Sequence, residues 1–336
     1  MTVSQRTPLT VSDPLVTVII LNWNGGEEVI GCIEHVIAQS YGPIEVIVID
    51  NASVDISEEA IRLRFPDIGL VANRTNVGFS SGMNQGIEAA SGEYVLLLGQ
   101  DVWIRDDFVQ NAVQLLADGA QLDIGMIAAR VYKLDGGRKT DELVGGAMLL
   151  RKRFRLVGDP DLSAQHYTLG PSFCCPFLSK KMLSNIKACS GHCFDDLYFA
   201  YGEDMDLMLR AQLLGWRCLF SPNLVAWHTQ SGSLGGHFRL VEKPPVFRKY
   251  SLRNRYLTFI KDVPFRLIVY LVPYMVLTEI ALWPYFLFKS PSTVRCLVHA
   301  YVEAIQALPE ALRLRRKIQA NKKVSAKYLQ QFFASF

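Results

Sequence analysis

Between residues 15 and 102, short unbroken apolar runs alternate with stretches whose apolar positions recur at helical spacing. Leu15-Val16-Thr17-Val18-Ile19-Ile20-Leu21 is β-branched and apolar, and Asn22-Trp23-Asn24-Gly25-Gly26 stops it, which predicts a buried strand and a tight turn. From Glu27 to Gln39 apolar residues return at Val29, Ile30, Ile33, Val36 and Ile37 behind acids in the first turn, the pattern of a helix. Ile44 to Ile49 predicts a second strand ending at Asp50-Asn51-Ala52-Ser53, and Ser57-Glu58-Glu59 opens a second helix. Leu70-Val71-Ala72 is a short third strand. After it come Gly78, Gly82 and Gly86, which share one helical face and suit either close packing on a sheet or backbone approach to a ligand.

The run from Glu93 to Leu98 predicts a fully buried strand that leads through Gly99-Gln100 into a carboxylate at Asp101. This order of elements predicts a parallel α/β sheet with right-handed crossovers. In such sheets ligands gather beyond the carboxyl ends of the strands, so Asp101 is placed to hold a cation or a ligand hydroxyl. Further on, Asp106 to Leu116 reads as a helix and Ile124 to Tyr132 as a strand, whereas Asp135 to Tyr167 is Gly-rich, basic and without readable elements. A helix opens near Glu203, and strands lie at Arg217 to Phe220 and before His228. Lys249 to Lys261 is a basic, aromatic, helix-like run.

At 336 residues, half of them apolar, the chain has room for one large domain and an appendage. Lys and Arg number 35 against 32 Asp and Glu, a balance that gives no global field for nucleic acid. The seven cysteines form no repeating framework and suit reduced thiols. Cys189 and Cys193, with Cys174-Cys175 upstream, lack the paired knuckles of a structural zinc site, and small buried side chains are the preferred reading. Met1 to Pro14 is polar, so no export signal is expected there.

Four segments taken together resemble the successive nucleotide-binding motifs of family 2 glycosyltransferases of the GT-A fold. They are Val18 to Gly25, Val48 to Ser53, Asn76-Val77-Gly78-Phe79 with Gly82-Met83-Asn84, and Leu97 to Asp101. The resemblance is best for rhamnosyltransferase-like members of cell-surface polysaccharide assembly. It implies a Rossmann-like, mixed but mainly parallel sheet flanked by helices. It also implies nucleotide-sugar contacts from Asn22, Asn24, Asp50, Asn51, Ser53, Asn76, Gly78, Phe79, Asn84, Gln100 and Asp101, with Asn22 and Asp50 at the nucleoside. Asp101 matches the last acid of the family's metal-binding Asp-x-Asp motif, and Gly99 stands where the first acid often is. His228 matches a histidine that completes the metal shell, so the resemblance implies Mn²⁺ or Mg²⁺ held by Asp101 and His228.

Phe194-Asp195 followed by Gly202-Glu203-Asp204-Met205-Asp206-Leu207 and Arg210 resembles the family's acceptor-site signature. A positioned carboxylate can take the proton of an attacking hydroxyl as the bond forms. By resemblance Asp204 is that base and Glu203 orients the acceptor, while Asp206 belongs to the helix start or to a salt bridge with Arg210. Phe265 to Phe288 is nearly all apolar but carries Pro273, Glu279 and Pro284, which favours a monotopic or re-entrant helix pair over a true span. Arg313 to Lys327 supplies positive charge for anionic lipid.

The expectation is a GT-A domain over residues 14–240, comprising a nucleotide half, 14–102, and an acceptor half, 103–240. A flexible segment, 1–13, precedes it, and a membrane-associating helical region, 241–336, follows. The expected activity is inverting, metal-dependent hexosyl transfer, rhamnosyl among the options, from a dTDP- or UDP-sugar to a glycan or lipid-linked glycan. The expected place is the cytoplasmic face of the cell membrane, with peripheral or monotopic contact. Two alternatives stand beside it, a polyprenyl-phosphate glycosyl synthase and a non-catalytic nucleotide-sugar-binding adaptor. A nicotinamide dehydrogenase is the least favoured reading, since the first strand turn lacks the G-x-G-x-x-G spacing.

Overall fold

Four parallel strands, β1 (Val16–Asn22), β2 (Ile44–Asp50), β3 (Gly69–Ala72) and β4 (Tyr94–Gly99), lie in the spatial order β4-β1-β2-β3. Helices α1 (Gly26–Ile37), α2 (Ser57–Arg64) and α3 (Gly78–Ala89) connect them. Strand residues point alternately to opposite faces, so β1 feeds two cores. Val16, Val18 and Ile20 pack with Val29, Ile30 and Ile33 of α1, whereas Ile19 packs with Ile49, Leu97 and Met83 of α3. The computed structural model describes residues 13–118, 122–229, 245–289 and 291–334. The expected boundary at 240/241 and most of the expected N-terminal segment lie outside them.

The sheet continues through β5 (Val102–Ile104), α4 (Phe108–Asp118) and β6 (Ile124–Asp135). Next come β7 (Arg138–Gly145), β8 (Ala147–Arg151), β9 (Arg155–Gly158), β10 (His166–Thr168), β11 (Gly170–Pro171) and β12 (Phe177–Ser179). Helices α5 (Lys180–Ser190) and α6 (Glu203–Leu213) precede the long β13 (Arg217–His228). Strand β12 runs antiparallel between β4 and β6, and β13 runs parallel to β6. The result is the expected mixed, mainly parallel sheet flanked by helices, with β8, β9 and β11 in a small second sheet. The stretch 135–167, in which the sequence shows no elements, is therefore strand-rich. Its β7 is mostly exposed on both faces, which erases the alternation that marks a half-buried strand.

Among the described residues, five helices follow: α7 (Pro245–Asp262), α8 (Phe265–Lys289), α9 (Pro291–Gln306), α10 (Leu308–Asn321) and α11 (Ala326–Gln330). Helix α6 is the middle layer between them and the sheet. Its Leu207, Ala211 and Leu214 join the sheet-side core, and its Met205, Met208, Leu209 and Leu213 pack with Phe259, Leu267, Leu314 and Ile318. The helix pair expected over 265–288 is a single helix instead, because Pro273 and Pro284 each remove one backbone donor without reversing the chain. This helix is long and apolar enough to cross a membrane, and only 17% of its apolar window is buried. Glu279, a costly group in an apolar helix, accepts hydrogen bonds from the hydroxyls of Tyr256 and Tyr301.

Candidate active site

Register places Asn22 opposite Asp50, so β1 and β2 end level at the carboxyl edge of the sheet. Asn22 Nδ2 approaches Asp50 Oδ1 at 2.6 Å, Ser57 Oγ at 2.9 Å and Ser53 Oγ at 3.1 Å. Ser53 donates its hydroxyl to Asp50 Oδ1 (2.6 Å) and its N–H to Asp50 Oδ2 (3.0 Å), and accepts the N–H of Asn24 (2.9 Å). Asn24 has a left-handed backbone, φ 53°, and its Oδ1 accepts from Val54 N–H at 2.8 Å. Asn22 and Asp50 are both fully buried, so they set the shape of the turns above them. Asn22 Oδ1 is a buried acceptor with no hydrogen-bond partner, and a Cβ on Gly25 would collide with it.

Asn51 ties the next loop. Its Nδ2 donates to Asn76 Oδ1 (3.0 Å) and the Gly78 carbonyl (3.1 Å), and its Oδ1 accepts from Val77 N–H (3.0 Å). Gln100 locks the first turn, with Oε1 accepting from Trp23 N–H at 2.7 Å. That holds the Trp23 indole half-exposed at the mouth of the edge, a residue the sequence reading did not select although it sits in the turn between Asn22 and Asn24.

Two expected nucleotide residues face the acceptor segment. Phe79 N–H donates to the Phe199 carbonyl at 2.7 Å. Asn84 donates to the Phe194 carbonyl (2.8 Å) and Asp196 (3.1 Å) and accepts from Phe194 N–H (2.9 Å), which makes it a brace of that segment. Of the three spaced glycines, Gly82 and Gly86 lie against Leu21 and Ile19 of β1, so their spacing serves helix packing. Gly78 is different. Its φ is +86°, and a Cβ there would reach the Phe199 ring at 2.8 Å.

Asp101 follows β4, and the short β5 turns it back along β13, where His228 lies opposite Val102. His228 Nε2 is 3.2 Å from Asp101 Oδ1. Burial alone would lower the imidazole's pKa, but hydrogen bonds to Asp101 and Cys174 push it up to about 10. Cys174, to which the sequence pattern assigns no role, is the second neighbour of His228. Its carbonyl accepts from Gly99 N–H at 3.2 Å, so pairing of the loop with the strand end carries the thiol to His228.

The donor set fits a divalent cation. Two ligands at adjacent corners of an octahedron with bonds of about 2.1 Å lie about 3 Å apart, close to the observed separation. Among the described residues no cluster of three or more His, Cys, Asp or Glu side chains could hold a metal ion by itself. The remaining corners would fall to substrate oxygens and water.

Helix α6 begins at Glu203 after Gly202, whose φ of 94° lets the chain turn sharply into it. The three acids of its first turn have different environments. Asp206 is fully buried between Arg210 (Nε to Oδ2 2.9 Å) and Lys261 of α7 (Nζ to Oδ1 2.6 Å). Burial opposes its ionisation, but Arg210 and Lys261 win and hold its carboxyl well below the usual range. Lys261 also pairs with Asp195. Burial first, then the Asp206 carboxylate, pushes the neighbouring Asp262 well up. Glu203 is buried, whereas Asp204 is half-exposed, its Oδ1 accepting the helix N–H of Met205 at 2.7 Å.

The segment that precedes Asp204 lies against the start of α3, where Phe79 N–H donates to the Phe199 carbonyl. A groove of 780 Å³ lined by Tyr41, Ile44, Glu45 and Asp67 lies at the amino ends of β2 and β3, away from Asp101 and His228.

Residues 17–183 match the family model described as Glycosyl transferase family 2. The chain is 23% identical over 232 residues to Glycosyltransferase GlyG of Streptococcus pneumoniae, covering 66% of this chain and 72% of that one. It is 27% identical over 233 residues to Succinoglycan biosynthesis protein ExoO of Rhizobium meliloti, covering 68% of this chain and 64% of ExoO, a little under two thirds of its length. Among solved structures, GalNAc-T7 with UDP, GalNAc and Mn²⁺ superposes with a TM-score of 0.64 at 15% identity, over 95% of this chain and 56% of that one. The mannosyltransferase PcManGT from Pyrobaculum calidifontis, in complex with GDP-Man and Mn²⁺, gives 0.54 at 18% identity, over 94% and 89%. At these identities the structural likeness speaks for the GT-A type of fold.

Proposed function

Since this chain is a glycosyltransferase with a family 2 domain over residues 17–183, we propose that it moves a sugar, with inversion, from a nucleoside-diphosphate sugar to an acceptor hydroxyl in cell-surface polysaccharide assembly. The acceptor is a glycan or a polyprenyl-diphosphate-linked glycan, and the donor a dTDP- or UDP-sugar, rhamnose among the candidates. The observation that carries this reading is the 3.2 Å approach of His228 to Asp101 beyond the carboxyl end of β4, a carboxylate and an imidazole whose chemistry suits a divalent cation on a diphosphate. Support for the donor class comes from solved neighbours described with UDP, UDP-GlcNAc or GDP-Man. Support for the pathway class comes from relatives named for succinoglycan and amylovoran biosynthesis.

Asp101 and His228 would hold Mn²⁺ or Mg²⁺, and a cation bound there offsets the negative charge on a departing diphosphate. The braces Asn22–Asp50–Ser53 and Asn51–Asn76 fix the turns that frame the nucleoside, so the donor meets a preformed edge. The acceptor oxygen attacks the anomeric carbon from the face opposite the diphosphate. As the new C–O bond forms, the old one breaks with its electron pair passing to the phosphate oxygen, and the hydroxyl proton passes to Asp204. Glu203 orients the acceptor beside it. Helix α8 lays its exposed face on the cytoplasmic leaflet, where a lipid-linked acceptor resides.

The test is a donor-consumption screen across dTDP-, UDP- and GDP-sugars with Mn²⁺, with Mg²⁺ and with EDTA. One nucleotide class should be consumed, only with metal, and Asp101→Asn and His228→Ala should each lower the rate by about tenfold or more. Full activity in EDTA would overturn the metal assignment.

A further inference from the structure

We propose that the β8–β9 hairpin is a binding surface for anionic lipid headgroups, set beside the apolar face of α8. The inference rests on the membrane-contact part of the proposed function and names the chemistry that would orient that contact.

The hairpin concentrates like charge. Arg151 pairs directly opposite Arg155 in the antiparallel register, so the two side chains leave the same face about 5 Å apart, an arrangement that repulsion disfavours. Arg153 stands exposed at the tip between them. A fourth guanidinium is fixed beneath the tip, because Arg255 of α7 donates to the carbonyls of Arg153 (2.6 Å) and Phe154 (3.2 Å). Burial, then Arg153, Arg151 and Arg255, lower the Arg155 pKa, which records the same crowding. The acid of α8 that faces this cluster is Glu279, 3.8 Å from Arg255, and the hydroxyls of Tyr256 and Tyr301 already engage it.

The cluster is anchored and adjoins the apolar surface. Phe154 is fully buried and meets the Phe259 ring edge-on with centroids 5.0 Å apart. At the tip, Lys152 Nζ lies 5.5 Å from the centre of the Tyr274 ring of α8. Along the same helix Val269 and Val276 are 60% and 50% exposed. Cations spread over the flank of a hairpin, bordered by tyrosines and then by open aliphatic side chains, match a bilayer's phosphate layer over its hydrocarbon. A soluble phosphate would call for donors converging on one point. The basic tail that the sequence puts forward is partly committed elsewhere, with Arg315 donating to the carbonyls of Ile260 and Val263 and Arg313 paired to Glu310.

Partitioning of the full-length protein onto vesicles of phosphatidylcholine alone, or with added phosphatidylglycerol, tests this. Wild type should prefer the anionic vesicles. Arg151→Gln/Arg153→Gln/Arg155→Gln should lose that preference by about fivefold per charge, on the order of a hundredfold in all, and keep its neutral-vesicle binding. The doubly exposed Lys152→Gln/Arg153→Gln gives the same reading by a smaller step if Arg151 matters to folding. Val269→Asp/Val276→Asp should lower binding to both vesicle types, and if it does not, the membrane role of α8 fails while the charge-dependent increment can still be read. Equal partition of wild type on both vesicles, or an undiminished anionic preference in the hairpin variants, overturns the proposal. So does variant-sensitive binding of soluble pyrophosphate with unchanged vesicle binding.

Discussion

Asp204 and Asp206 share one helical turn, yet one is half-open and the other is sealed between Arg210 and Lys261. Removing one partner of a buried charge pair leaves the other uncompensated, at a cost of about 3–5 kcal/mol. Lys261→Ala should therefore lower the unfolding free energy by about that much in denaturant titration, whereas Asp204→Asn should leave it nearly unchanged. Gly78 offers a second contrast. An alanine must adopt a left-handed φ at a cost of about 1–2 kcal/mol and also press on Phe199. Because Phe199 belongs to the segment leading into Asp204, Gly78→Ala should raise the KM for acceptor more than it weakens donor binding, which paired kinetics and calorimetry would show. A larger loss of donor affinity would put Gly78 at the nucleotide instead.

At the scale of elements, the parallel half of the sheet is legible because β1 and β4 are apolar and largely buried along their length and each of the four strands ends in a turn of Asn, Gly or Asp. The Asp206–Arg210 pair is legible for a similar reason, since it spans one turn of one helix. What escapes is whatever depends on distant chain. Lys261 completes the Asp206 network from α7, and Cys174 reaches His228 only because its loop pairs with the end of β4. Exposed ribbons such as β7 carry no period to read. Helix α10 looks from its charges like a lipid-binding tail, but Leu314 and Ile318 are buried against α6. Leu314→Ala should thus cost about 2–5 kcal/mol of stability, read from the shift in the denaturation midpoint. A shift near zero would return α10 to the role of a detachable appendage.

Across the whole molecule, the acid-bearing helix is the layer shared by the sheet and the C-terminal helices, so the surface that would meet a membrane and the edge that would hold the donor are joined through one packed core. The proposed reaction is displacement by an acceptor hydroxyl whose proton goes to Asp204. A lipid-phosphate nucleophile would arrive already deprotonated and need no such base. The most direct test is single-turnover sugar transfer by Asp204→Asn, with donor binding followed on the same sample. Transfer should slow by about 10²–10⁴-fold with donor affinity unchanged. Transfer at the wild-type rate would contradict the proposed reaction.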